Sequence, residues 1–90
     1  MNHPMVSMNQ KIFEMALPVE TISVYLLCCG LADAGKPIST RNLLGIWNST
    51  SDALLLSLDD LENRGILFLV FTDQEKNTVY ELCDSREWKF

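Results

Sequence analysis

The sequence predicts a small α+β domain in which three helices precede a β-hairpin. Apolar residues recur every three or four positions through the first two thirds of the chain, which is typical of helices packed on a core. Two short runs rich in β-branched and aromatic residues follow Gly65, and the polar loop 73–77 separates them, which predicts a hairpin. The 90 residues are enough for one domain.

The chain is expected to have a leader, a main domain and a tail. The leader includes one short helix between residues 7 and 16, because Met8, Ile12 and Met15 have helical spacing. The three parts are, in chain order, residues 1–16, 17–84 and 85–90.

The main domain is predicted to begin with a helix over residues 18–34 that is apolar nearly all round. Such a helix is central to a fold or is covered by a second chain. The segment Gly35-Lys36-Pro37 ends it, and Ser39 can cap a second, short helix. The apolar residues of this second helix that are expected to face the core are Leu43, Leu44, Ile46 and Trp47.

A third helix is predicted over residues 50–63, between a polar turn and Gly65. Steps of about 100° per residue divide its side chains between two faces. The expected core face consists of Leu54, Ser57, Leu58 and Leu61. The expected outward face consists of Asp52, Leu56, Asp59, Asp60 and Asn63.

Residues 37–44 are followed by a tight turn and then by a run in which Leu54, Leu58 and Leu61 lead to Gly65-Ile66-Leu67. This order of helix, short helix, tight turn, helix and hairpin resembles the winged helix-turn-helix superfamily of bacterial transcription regulators, and the resemblance covers roughly residues 19–83. It implies three core helices and a two-stranded hairpin as the wing, with helix 50–63 entering the DNA major groove. The superfamily also supplies protein-binding modules, so the fold leaves the function open.

The acidic net charge argues against indiscriminate nucleic-acid binding, which depends on cations that neutralise phosphates, but it does not exclude a local basic patch. The net charge is −5, and the outward face of the third helix has three acids and neither lysine nor arginine. The residues expected to contact double-stranded DNA, if it is bound, are Arg41, Asn42, Thr50, Ser51, Asn63, Arg64 and Lys76. Arg41 and Lys76 would contact phosphates, whereas Ser51 and Asn63 would form hydrogen bonds.

The first strand of the hairpin, residues 67–71, is apolar on both of its alternating faces. A two-stranded wing normally has one face in water, so the second face needs a cover. Either the C-terminal tail folds over it, or a second subunit covers it and forms a symmetric homodimer. The expected partner-interface residues are Leu55, Leu56, Asp59, Asp60, Leu69, Phe71, Trp88 and Phe90.

No catalytic, cofactor or metal site is expected. His3 is the sole histidine, and the sequence contains neither a C-x-x-C pair nor a glycine-rich phosphate loop. Cys28, Cys29 and Cys83 are interpreted as core residues, with a thiol-based sensor as the alternative. The apolar segment 19–31 is too short to span a bilayer, and a reducing cytoplasm is expected for these thiols.

Two main hypotheses follow from the sequence, and neither is an enzyme. The first is a small transcription regulator that binds DNA as a dimer. The alternative is a protein–protein interaction module that uses the acidic third helix and the apolar wing. A thiol-based sensor is the second alternative.

Overall fold

A computed structural model describes residues 8–89 as three α-helices and a three-stranded antiparallel sheet, with a short 3-10 helix on either side. The α-helices are α1 (Val19–Asp33), α2 (Thr40–Ile46) and α3 (Ser51–Asn63). The strands are β1 (Ile38–Ser39), β2 (Leu67–Thr72) and β3 (Thr78–Leu82). The 3-10 helices span Gln10–Glu14 and Ser85–Glu87. The predicted α+β class is confirmed.

The helix predicted within residues 7–16 is a 3-10 helix of five residues, and residue 7 lies outside the described part of the chain. Asn9 caps it by accepting a hydrogen bond from the backbone N–H two residues later, at 2.9 Å. A longer helix is prevented because Ala16 has a φ of 56° and Leu17 precedes a proline, which disfavours helical backbone. Ile12 is nevertheless fully buried, so this short segment contributes to the core.

The first predicted α-helix, α1, is the central helix of the fold. It buries side chains on several sides, among them Val24 and Cys28, and it packs on both of the other helices. The helix stops after Asp33, close to the predicted end. Gly35 has a φ of 73°, and the N–H of Lys36 donates to the carbonyl oxygen of Leu31 at 2.8 Å.

Ser39 caps α2 as predicted, because its Oγ accepts a hydrogen bond from the backbone N–H three residues later at 3.1 Å. Leu43 is fully buried and Trp47 is half-buried. The prediction was wrong for Leu44 and Ile46, which are 46% and 50% exposed. A helix of seven residues makes only two turns, so a single narrow stripe of it can face the core.

The third helix, α3, has the predicted core face. Thr50 precedes it, and its Oγ1 accepts a hydrogen bond from the N–H of Ala53 at 3.1 Å. The buried residues of this helix are Leu54, Ser57, Leu58 and Leu61. Past its end, Gly65 has a φ of 74°, which turns the chain into β2.

The predicted two-stranded hairpin is part of a three-stranded sheet with the order β1-β3-β2. Ile38 pairs with Tyr80, and Ser39 pairs with Val79. The sequence analysis missed β1 because two residues are too few to show an alternating pattern. The consequence is that β3 lies in the middle, while β2 is an edge strand with one side unpaired within the described residues.

A β-bulge at Val70 changes which side chains of β2 share a face. The register across the bulge is Phe68 opposite Glu81, Leu69 opposite Tyr80, and Phe71 opposite Val79. Paired residues of an antiparallel sheet lie on the same face. Phe68 and Phe71 therefore share one face, which we call the outer face, whereas the buried Tyr80 lies on the inner face. Without the extra residue, Phe68 and Phe71 would lie on opposite faces.

The chain after β3 returns to α1 and to the end of α3. Trp88 is 7% exposed, and its ring meets that of Tyr25 edge-on, with centroids 5.6 Å apart. The indole N–H of Trp88 donates to the carbonyl oxygen of Cys83 at 3.2 Å. The backbone N–H of Lys89 donates to the carbonyl oxygen of Arg64 at 2.6 Å. This segment thereby closes one end of the core.

Candidate interaction surfaces

The outward face of α3 carries exposed leucines beside acids. Leu55 is 51% exposed and Leu56 is 71% exposed, although both belong to a well-packed helix. Asp52 and Asp59 line a shallow groove together with these two leucines. A solvated helix face is normally polar, so these two leucines form an exposed apolar patch on α3. We call these four residues the α3 groove.

Arg41, expected to contact phosphates, is already paired with an acid. Its guanidinium donates to Glu75 in the hairpin loop at 2.7 Å. The backbone N–H of Arg41 donates to the side-chain oxygen of Asn77 at 2.8 Å. These two contacts attach the hairpin loop to the start of α2. Both partners of the ion pair are well exposed, so it contributes little to stability, but it offsets the positive charge of Arg41.

Other predicted DNA-contacting residues are also used within the fold. Arg64 pairs with Asp60 one turn earlier in the chain, with 2.9 Å between the nitrogen and oxygen atoms. The side-chain amide of Asn42 donates to the carbonyl oxygen of Pro37 at 2.9 Å. Thr50 is the N-terminal cap of α3. These groups shape the turns of the protein, and a phosphate would have to displace their present partners.

Ser51, Asn63 and Lys76 remain exposed. Ser51 and Asn63 begin and end a helix of 13 residues, so they lie about 18 Å apart along its axis. Lys76 lies in the hairpin loop with a φ of 65°, in the same groove as Arg41 and Glu75. The structure therefore brings Arg41 and Lys76 together with an acid beside them, and it leaves the α3 residues apart.

The predicted partner-interface residues divide into two groups. Leu69 and Phe71 are 41% and 53% exposed, in agreement with an available apolar surface on β2. Trp88 requires a correction. It is buried against α1, where its ring fills core space beside Tyr25, and it neither covers the outer face nor offers much surface to a partner. Phe90 lies outside the described residues.

The three cysteines are free thiols, and their surroundings disfavour the reactive thiolate. Burial raises the pKa of the Cys28 thiol from 9.0 to about 12 and that of the Cys29 thiol to about 11. Burial also raises the pKa of Cys83. Protonated, buried thiols are poor nucleophiles, which favours the packing role over the sensor.

Sequence reasoning missed the residues that hold the hairpin loop. Asp73 Oδ1 accepts hydrogen bonds from the backbone N–H groups of Glu75 and Asn77, at 2.8 and 3.0 Å. The polar composition of residues 73–77 indicated a loop, and an aspartate that begins such a loop favours this local turn. The contact of Glu75 with Arg41 spans 34 positions, and no local pattern predicts it.

Comparison with models of protein families, with curated proteins and with solved structures finds no match for this chain. Among residues 8–89, no helix combines the length and the apolar character needed to cross a membrane. In the same part of the chain, no three histidine, cysteine or acidic side chains are grouped so that they could hold a metal ion.

Proposed function

We propose that this protein is a non-enzymatic binding domain of the winged helix-turn-helix type, and that the α3 groove binds a basic, amphipathic segment of a protein partner. The observation that carries the proposal is the 71% exposure of Leu56 between acidic side chains. In the superfamily, the corresponding helix faces the ligand, which supports assigning the partner contact to this surface.

The chemistry of the partner follows from the charges. Asp52 and Asp59 line the groove, so this surface attracts lysine and arginine. Asp60, the next residue in the chain, is paired with Arg64 and does not add to this attraction. A helix with an apolar stripe bordered by basic residues would place its apolar side chains on Leu55 and Leu56. Duplex DNA presents phosphates to the same acids and would be repelled.

The test uses a fluorescent synthetic helix of leucine and lysine as the probe, with a leucine and glutamate helix as the matched control. We expect anisotropy to show binding of the basic helix, with affinity that falls as salt is raised, and no binding of the acidic helix. Leu56→Ser and Asp59→Asn should each weaken binding by about tenfold. Phe71→Ser, which removes an exposed apolar side chain on the sheet, is the control and should bind normally. Equal binding by Leu56→Ser and the unmodified chain would overturn the proposal.

A DNA-binding regulator is the second candidate function. The exposure of Ser51 and Asn63 on α3 and of Lys76 in the hairpin loop favours it, because these groups would face a duplex docked on a winged helix. The measurement is binding of a duplex between about 50 and 200 mM salt. Steep loss of affinity with salt, together with weaker binding by Lys76→Ala, would support this candidate against the first.

The proposal includes self-association and a cytoplasmic location. The free thiols Cys28, Cys29 and Cys83 support a reducing compartment. A homodimer is supported by the exposed edge of the sheet, and its geometry is argued next.

A further inference from the structure

The edge strand β2 concentrates exposed apolar side chains on an unpaired edge. The exposed fractions of its four central residues are 50% for Phe68, 41% for Leu69, 43% for Val70 and 53% for Phe71. An edge strand also presents backbone N–H and C=O groups that have no partner within its sheet. Natural edges are usually protected by a charge, a proline or a β-bulge. Residues 65–72 contain neither a charge nor a proline, and the bulge at Val70 is the one such device in this strand.

We infer that β2 pairs antiparallel with β2 of a second copy of this chain, so that two three-stranded sheets join into one sheet of six strands. The partner is a second copy because the edge is uncharged, so an identical edge meets it without like-charge repulsion. A basic or acidic partner would find no charge on this strand to recognise. This inference is independent of the α3 groove, which lies on a helix.

The bulge at Val70 makes the paired edge self-complementary. It places Phe68 and Phe71 together on the outer face. When two copies of β2 pair about a two-fold axis between Leu69 and Val70, Phe68 of one copy lies opposite Phe71 of the other. Two aromatic cross-strand pairs therefore form on the same face, an arrangement that stabilises antiparallel sheets.

The charge of the chain does not prevent this pairing. Glu81 shares the outer face with Phe68, but it belongs to the middle strand β3. In the joined sheet, the Glu81 residues of the two copies would be separated from each other by three strand spacings, which is about 14 Å. That distance exceeds the Debye length of about 8 Å at physiological ionic strength, so the repulsion is largely screened.

The apolar surface area that β2 exposes predicts a weak dimer. Four large apolar side chains, each about half exposed, offer roughly 300–400 Å² per copy. A standard stable interface buries about 800 Å² per partner, so side chains alone supply up to half of it and the paired backbone adds to it. We expect a weak dimer that forms as the protein concentration rises and dissociates on dilution.

The experiment combines sedimentation with amide hydrogen exchange over a range of protein concentration. We expect dimer formation, with slower exchange of the β2 amides at high concentration and unchanged exchange in α3. Val70→Lys and Phe71→Ser should each abolish the dimer, while circular dichroism confirms that they are folded. Leu56→Ser is the matched control, because it removes a more exposed apolar residue from α3 and should leave the dimer intact.

Three outcomes would overturn the inference. The first is a monomer up to millimolar concentration. The second is a dimer that survives both Val70→Lys and Phe71→Ser. The third is slow exchange of the β2 amides that does not depend on concentration, since this would show that another segment of the same chain covers the edge. Loss of binding by the α3 groove would not affect any of these measurements.

Discussion

Replacing Gly65 with alanine tests how the C-terminal segment docks on the junction between α3 and β2. Gly65 has a φ of 74°, a backbone conformation that L-residues rarely adopt. A Cβ built on this residue would lie 2.5 Å from the carbonyl oxygen of Glu87 and 3.7 Å from Cα of Trp88. Both the conformation and the space therefore oppose a side chain at this position.

The expected cost is the sum of two effects. The left-handed conformation costs a residue with a Cβ about 1–2 kcal/mol. To relieve the overlap with the backbone, the segment near Glu87 must shift. The shift weakens the hydrogen bond from Lys89 to Arg64 and strains the packing of Trp88, and we expect these two losses to cost about 2–3 kcal/mol. We expect Gly65→Ala to lower the free energy of unfolding by about 3–5 kcal/mol, out of roughly 5–13 kcal/mol for a chain of this length.

Gly35 provides the matched control. Its φ of 73° is almost the same, but a Cβ there would have no atom within 4 Å. Gly35→Ala should therefore show only the conformational cost of about 1–2 kcal/mol. Gly30 lies within α1 and also has open space, so Gly30→Ala should stabilise the protein by about 0.5–1 kcal/mol.

Urea unfolding followed by circular dichroism measures all three variants. Thermal unfolding is an independent check, in which each 1 kcal/mol should lower Tm by about 4–8 °C for a domain of this size. If Gly65→Ala costs no more than Gly35→Ala, the docking of the segment near Glu87 contributes nothing and the reasoning is refuted.

Further changes probe the helix cap, the core and the thiols. Thr50→Ala removes the N-terminal cap of α3 and should cost about 1 kcal/mol in urea unfolding, whereas Thr50→Ser should be near neutral. Trp88→Ala removes the ring packed on Tyr25 and should cost about 3–5 kcal/mol, while Trp88→Phe keeps most of the packing and should cost less. Burial raises the folded-state pKa values of Cys28 and Cys29 from 9.0 to about 12 and 11, so the contribution of these two thiols to stability should be constant well below pH 9 and should fall as pH rises from 9 through these values. Replacing both cysteines with alanine should remove this contribution to the alkaline loss, and an unchanged slope in urea unfolding across that pH range would contradict it.

Local patterns in the sequence determined the helices closely. The cap at Ser39 and the stop at Gly35 act through backbone groups a few positions away, so the residues themselves mark where a helix begins or ends. The core face of α3 follows from the 3.6-residue period, which is why Leu54 and Leu58 are buried as predicted. The acidic, leucine-bearing outward face of α3 could also be predicted, because it is the remainder of the same helix.

The three-stranded sheet and the C-terminal segment around Trp88 depend on contacts between distant parts of the chain. The two-residue strand β1 exists because β3 provides hydrogen-bond partners for Ile38 and Ser39, about 40 positions earlier in the sequence. Trp88 lies against Tyr25 rather than over the sheet because the space beside α1 accepts its ring and Cys83 accepts its N–H. No local spacing in the sequence specifies which part of the fold Trp88 packs against.

The sequence by itself determined the boundaries of α1 and α3, the α+β class and the acidic, apolar character of the candidate surfaces, because these depend on neighbouring residues and on composition. Only the tertiary structure decided which charges and faces are available to a partner. Arg41 is paired because the hairpin loop brings Glu75 to it, and Phe68 and Phe71 share the outer face because the register shifts at Val70. Both depend on how β2 and β3 align, which is set by packing across the whole domain.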